Sequence, residues 1–195
     1  MVFDRFRGLG NRIMFPIAKK LKWMNPDILT WISFLICIGV GVLFYIDGIE
    51  MLVLIAVLIA LAGFLDYLDG SIAKVNKKET KRGDFLDHTL DRFSDAAIFG
   101  GLAISGLVNI YAGFAAVIAI LLVSYMGTQA HALTGKRDYS GILGRADRMI
   151  FLIAAIIIQY FLSAYAVLQL FVYIVIITGA ITIAQRFVKT WRLLS

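Results

Sequence analysis

Charge is scarce in this chain: of 195 residues, 16% are Asp, Glu, Lys or Arg, against 61% hydrophobic. A soluble domain is about a quarter charged. With a mean hydropathy of +0.86, the sequence reads as an integral membrane protein. Its single cysteine, Cys37, lies in an apolar run, which excludes a disulfide framework and predicts a buried structural thiol. No soluble domain and no inverted repeat of the transporter kind stands out. A cleavable signal peptide is not expected either, because the first apolar run comes late and behind a basic amphipathic stretch. The net charge of +6 would suggest nucleic acid in a soluble protein. In a membrane protein it marks cytoplasmic loops and anionic headgroups, so no nucleic-acid partner is expected.

Three turns lack basic residues altogether: Asp47–Glu50, Gly106–Asn109 and Ser163–Tyr165. All 19 lysines and arginines fall in the N-terminal segment, between Lys74 and Arg92, between Lys136 and Arg148, and in the tail at Arg186, Lys189 and Arg192. These two sets alternate along six apolar segments, approximately 28–46, 51–75, 84–106, 110–134, 146–163 and 166–190. Each is near the roughly 20 residues that span a bilayer. Under the positive-inside rule both termini face the cytoplasm, in a multi-pass protein of the cell membrane. Residues 1–24 interleave Phe3, Phe6, Leu9, Ile13 and Phe15 with Arg5, Arg7, Arg12, Lys19 and Lys20. That pattern predicts an amphipathic helix lying in the headgroup plane, a disordered basic tail being the alternative. Asn25-Pro26-Asp27 then breaks the chain, with Pro26 at a first-turn position. The expected architecture is all-α, with this interfacial helix (1–24) ahead of a six-helix transmembrane catalytic domain (25–195). Gly39, Gly41, Gly63, Gly100, Gly101 and Gly113 are expected to allow close helix packing.

Against this apolar background, four carboxylates stand out. Asp66 and Asp69 share a face of the second segment, and Asp87 and Asp91 share a face of the third. A short basic connector predicts that these two helices are antiparallel neighbours, each showing its pair to the other. Such a cage of oxygen donors suits hard divalent cations carrying substrate phosphates. A carboxylate cluster at membrane depth is a functional hypothesis by default. Gly70 would let a phosphate or nucleotide approach the backbone, and Lys74, Lys77, Lys78, Lys81 and Arg82 would attract an anion. His88 and His131 read as polar interhelical or interfacial residues rather than metal ligands. Asp84 and Asp95 extend the face of Asp87 and Asp91. Each is open to two readings, a supporting role at the cage, or a helix-start charge (Asp84) and an arginine partner (Asp95).

Asp66, Asp69-Gly70, Ala73-Lys74, Gly83, Asp87 and Asp91 resemble the signature of the CDP-alcohol phosphotransferases with every gap matched; Lys74 stands where the family has arginine. Lysine keeps the charge and loses the bidentate fork. The six-helix layout extends the resemblance over nearly the whole chain. It implies transfer of a phosphatidyl- or archaetidyl-type group from a CDP-linked lipid to a small polar alcohol, with release of CMP. It implies two divalent cations, Mg²⁺ or Mn²⁺, held by Asp66, Asp69, Asp87 and Asp91, with Asp91 also the base on the acceptor hydroxyl. Nucleotide contacts carry over to Asp66, Asp69, Gly70, Lys74, Thr80 and Gly83, and to Asp27 and Thr30 in the Pro26–Thr30 element. Members of the family are commonly homodimers.

Gly141, Arg145 and Arg148 resemble the branch that uses inositol phosphate, making phosphatidylinositol phosphate in bacteria and archaetidylinositol phosphate in archaea. Arg145 and Arg148 share a helical face, and with Arg186 and Lys136 they are the candidate site for a phosphate on the acceptor. The alternative is that these arginines only mark the cytoplasmic interface. The stretch Tyr125–Ala132 departs from the bacterial branch, lacking the arginine and glutamate found there. Glycerol phosphate, serine and free inositol are the competing acceptors. A cation channel or transporter with an Asp ion site is the reading from a different class, and it requires polar residues through to the far side. The outer halves of the second, third and fifth segments are almost wholly apolar.

Overall fold

Each apolar segment folds as one helix, with ends set by local chemistry. The computed structural model describes residues 7–47, 50–77, 79–135, 141–164 and 166–194. Its elements are α1 (Arg7–Lys20), α2 (Pro26–Asp47), α3 (Leu52–Val75), α4 (Lys81–Ile104), α5 (Ile110–Thr134), α6 (Arg145–Phe161) and α7 (Val167–Leu194). Asn25 Oδ1 accepts the Asp27 N–H at 3.0 Å, so Pro26 enters at the first helical position, where its missing N–H costs nothing. Thr80 caps α4 by accepting the Gly83 N–H at 3.0 Å. Asn109 caps α5 through the N–H groups of Tyr111 and Ala112. Gly135 ends α5 with φ 68°, a left-handed conformation that favours glycine.

α2, α3, α5 and α7 are long and apolar enough to cross a bilayer. α4 is as long as α3 but carries the charges of the motif, and α6 has 17 residues. Residues 7–20 of the expected interfacial helix are helical, and residues 1–6 lie outside the described set. α1 packs on α3, where Ala18 is buried with Leu68 and Ile72 while Phe15 and Trp23 stay exposed.

The six longer helices close into a ring. α2 packs on α4, α4 on α5, α5 on α7, α7 on α6, α6 on α3 and α3 back on α2. This corrects one expectation: among the described residues α3 and α4 do not pack against each other. Both lean on α2 instead, and the gap between them is open. The close approach of α2 to α4 explains why. A Cβ at Gly41 would lie 2.4 Å from the Ala97 carbonyl oxygen, and one at Gly101 2.3 Å from that of Gly41. Only glycine allows the two backbones this near. Gly113 plays the same part against Ala103, on α5 and α4. At Gly39, Gly63 and Gly100, by contrast, a Cβ would meet nothing within 4 Å, so these three do not serve packing among the described residues. Gly101→Ala is expected to destabilise the protein by about 1–3 kcal/mol through forced separation of α2 and α4, read as a lower Tm in detergent.

One half of the ring is solid. Phe44, Leu52, Phe99, Ile120, Leu152, Ile156, Leu168 and Val172, drawn from all six ring helices, form a single apolar core. Gln159 accepts the Leu168 N–H at 3.2 Å and helps close the short α6–α7 turn. The motif carboxylates lie toward the opposite half, near the α3–α4 connector. A conducting path would have to cross the core, and its side chains offer an ion no ligands.

Candidate active site

The gap between α3 and α4 widens into a cavity of ≈ 1100 Å³ bounded also by α5, α6 and α7. Asp66 of α3, Asp91 of α4 and Arg145 of α6 all line it. Residues three or four apart return to one helical face, and of each pair one member lines the cavity, Asp66 on α3 and Asp91 on α4, while Asp69 turns toward Thr30 of α2. Asp66 and Asp87 each lie within electrostatic reach of both Asp69 and Asp91.

The cage is braced from outside. Thr30, one turn into α2, places its hydroxyl 2.6 Å from Asp69 Oδ2, and Ser33 Oγ donates to the Ala62 carbonyl at 2.9 Å. α2 therefore fixes both the depth of α3 and the rotamer of its second aspartate. Thr30, expected as a nucleotide contact, is here a partner of a motif carboxylate. Thr30→Val removes that donor and keeps the shape. For the transfer that the sequence resemblance implies, we expect roughly a tenfold loss of activity, recovered in part at higher divalent-cation concentration.

Of the residues expected to meet the nucleotide, Asp27, Thr80 and Gly83 gather at the starts of α2 and α4, and Gly70 and Lys74 lie on α3. A Cβ on Gly83 would lie 3.3 Å from Thr80 Oγ1 and 3.7 Å from Asp27 Oδ1, so these three adjoin. Gly70 faces open space, with nothing within 4 Å of a Cβ there, and Lys74 is exposed in the last turn of α3.

Arg145 changes the electrostatics of the cage. It opens α6, and its Nη1 donates to Asp66 Oδ1 and Oδ2 at 3.1 and 3.2 Å. The same nitrogen lies 2.6 Å from Asp91 Oδ1, and its Nε donates to Asp95 Oδ1 at 3.3 Å. One guanidinium thus answers three carboxylates from two helices that do not touch. Arg148 Nη2 donates to Asp95 Oδ2 at 3.0 Å. Asp95 is thus an arginine partner, and through Arg145 it is also tied to Asp66 and Asp91 of the cage. Arg186 is buried on α7, where its Nη1 donates to the Val123 carbonyl, and it lines the same cavity. Lys136 lies outside the described residues.

The donor set fits a hard divalent cation, because it is dominated by carboxylate oxygen. Asp87, His88 and Asp91 can each offer one ligand atom within 4.8 Å of the others. His88 also sits beside Asp84, Nε2 to Oδ1 3.3 Å, and Asp87, Nδ1 to Oδ2 3.8 Å. Asp84 is in the first turn of α4, the helix-start position of the second reading for that residue. A cation bound to Asp66 and Asp91 would compete with Arg145 for the same oxygens.

The wall contributed by α5 overlaps the stretch Tyr125–Ala132, which in the sequence stood out for lacking an arginine and a glutamate and not as a cavity wall. Ser124, Gly127, Thr128 and His131 line the cavity at the spacing of one helical face. The small and polar residues at that spacing, inside an apolar helix, are the signal that could have found it.

A sequence model described as CDP-alcohol phosphatidyltransferase matches residues 23–184. The chain is 31% identical to an archaetidylinositol phosphate synthase of Methanothermobacter thermautotrophicus, over 98% of this chain and 95% of that one. It is 36% identical to one of Pyrococcus horikoshii, over 84% and 81%. Among solved structures, phosphatidylinositol phosphate synthase of Mycobacterium tuberculosis with CDP-DAG bound superposes with TM-score 0.80 at 26% identity, covering 92% of this chain and 94% of that one. The same enzyme in complex with manganese and citrate gives TM-score 0.78 at 25% identity, over 91% and 88%.

Proposed function

The chain belongs to the CDP-alcohol phosphatidyltransferase family and is a transferase of phospholipid biosynthesis, and from that premise we propose that it transfers the phosphatidyl- or archaetidyl-type group of a CDP-linked lipid to inositol phosphate, releasing CMP. The observation that carries the choice of acceptor is the convergence of Arg145, Arg148 and Arg186 on the cavity that Asp66 and Asp91 also line. Three guanidinium groups from α6 and α7 are the donor set that a phosphate monoester demands. The names of the relatives support the same acceptor.

In this reading Asp27, Gly70, Lys74, Thr80 and Gly83 receive the CDP moiety. Gly70 is open to close approach and Lys74 answers a phosphate as a point charge. Asp66, Asp69, Asp87 and Asp91 hold two divalent cations, magnesium or manganese, with Thr30 fixing Asp69. What those cations supply when bound is neutralisation of the pyrophosphate and of the departing CMP phosphate. The arginines hold the acceptor by its phosphate, and Asp91 takes the proton from its attacking hydroxyl. The new bond joins that oxygen to the lipid-bearing phosphorus, and the pyrophosphate P–O bond breaks toward CMP. The apolar half of the ring closes the site to water from the far side.

We place the six ring helices across the membrane, with both termini and the site on the cytoplasmic side and α1 in the interface. The one-sided distribution of lysine and arginine supports this. The proposed assembly is a homodimer. Gly39 and Gly100, where a Cβ would meet no neighbouring element among the described residues within 4 Å, leave room for a second copy.

The test uses purified protein with CDP-diacylglycerol or CDP-archaeol and magnesium, offering inositol phosphate, glycerol phosphate, serine and inositol singly. CMP release with inositol phosphate is expected. Turnover with an unphosphorylated alcohol alone would remove this acceptor and keep the reaction class.

A further inference from the structure

Asp95 belongs to no part of the motif, yet it is the most deeply buried carboxylate beside the cavity, with a side-chain exposure of 0%. It lies one helical turn beyond Asp91 on α4. A carboxylate without water persists in such a place only when fully paired, and the pairing here is divided evenly. Oδ1 accepts from Arg145 Nε at 3.3 Å and Oδ2 from Arg148 Nη2 at 3.0 Å. The two arginines stand one turn apart on α6 and would repel one another in a medium of low dielectric. Arg148 has a side-chain exposure of 6%, and its Nε is buried with no hydrogen-bond partner. A buried guanidinium donor left without a partner at the edge of an open cavity calls for an anion.

We propose that Asp95 is the positioning residue of the acceptor subsite. By splitting its oxygens between Arg145 and Arg148 it cancels their repulsion and holds them as a pair. Their remaining donors then meet one phosphate group together. Arg145 also grips Asp66 and Asp91, so the same carboxylate sets the distance between the phosphate grip and the carboxylate cage. This rests on the reading that the acceptor carries a phosphate. Asn at position 95 would keep the shape but would present an amide N–H group to one of the two arginines, and the pair would splay.

The test compares full-length wild type, Asp95→Asn, Arg148→Lys and the double variant, with inositol phosphate as the varied acceptor. Asp95→Asn is expected to raise the acceptor KM by about tenfold or more, while the KM for CDP-lipid stays within about twofold. The double variant is expected to be less impaired than the product of the single effects. A merely structural role would lower Tm and move both KM values together, and that outcome overturns the proposal. If Asp95→Asn purifies poorly, Arg148→Lys alone decides. It must raise the acceptor KM without changing the KM for CDP-lipid, and an unchanged acceptor KM overturns the proposal. Wild-type protein that uses only an unphosphorylated alcohol removes the phosphate reading and this proposal with it. Wild-type turnover of inositol phosphate with an unaltered acceptor KM in Asp95→Asn removes this proposal alone.

Discussion

Asp91→Asn is expected to lower CMP release by about 10³-fold or more, the range lost with a general base, with little change in Tm. Two functions leave with one oxygen. The amide cannot take a proton from the acceptor hydroxyl, and it is a poorer ligand for a hard cation than a carboxylate. The fold should survive because the ion pair that this variant breaks, Arg145 Nη1 to Asp91 Oδ1 at 2.6 Å, is one of three that hold the guanidinium. Asp66 and Asp95 keep it in place. Initial rates of CMP release and a melting curve on the same preparation separate the two effects. A variant that retains a tenth of wild-type activity would contradict the role assigned to Asp91.

Arg145→Ala is expected to act in opposite directions on two ligands. Truncating one member of a buried charge pair costs about 2–5 kcal/mol, so the acceptor KM should rise by about 10²-fold. The affinity for magnesium or manganese should increase, because Asp66 and Asp91 lose the cation that competes for them. The variant also leaves Asp66, Asp91 and Asp95 facing one another with less positive charge between them, and three like charges in a low dielectric repel strongly. Its Tm in EDTA should therefore fall below that of wild type, with a larger recovery on adding magnesium. If Arg145 served only to mark the cytoplasmic interface, metal affinity and the metal-dependent gain in Tm would be unchanged.

The local parts of this architecture were legible in the residues. Hydrophobic length found each of the six ring helices within a few residues of its ends, since a long apolar run has most of its backbone polar groups satisfied locally when it is helical. Asn25-Pro26 marked the entry to α2 because a cap and a proline at the first position leave a local record. The carboxylate pairs were legible because helical phase alone puts Asp66 with Asp69 and Asp87 with Asp91. What sequence could not supply was the order of helices around the ring. The short connector between α3 and α4 implied that they pack together, but the chain prefers to bury Gly41 against Gly101, and the resulting α2–α4 packing holds α4 away from α3. Gly39, Gly63 and Gly100 resemble those packing glycines in sequence and differ only in what faces them. The link from Arg145 back to Asp66 likewise spans 79 positions, a separation over which no periodicity carries information. The division of Asp95 between two arginines became visible only when α6 was placed across the gap.

The central claim is that a phosphorylated acceptor is joined to the lipid within this cavity. The direct measurement supplies inositol phosphate carrying radioactive phosphorus to wild-type protein with CDP-diacylglycerol or CDP-archaeol and magnesium, then follows label in the lipid extract alongside CMP. The account predicts that label enters the lipid in step with CMP, since the acceptor's own phosphate is gripped and never cleaved, and that Asp91→Asn abolishes both. CMP released while the label stays in the aqueous phase would contradict it.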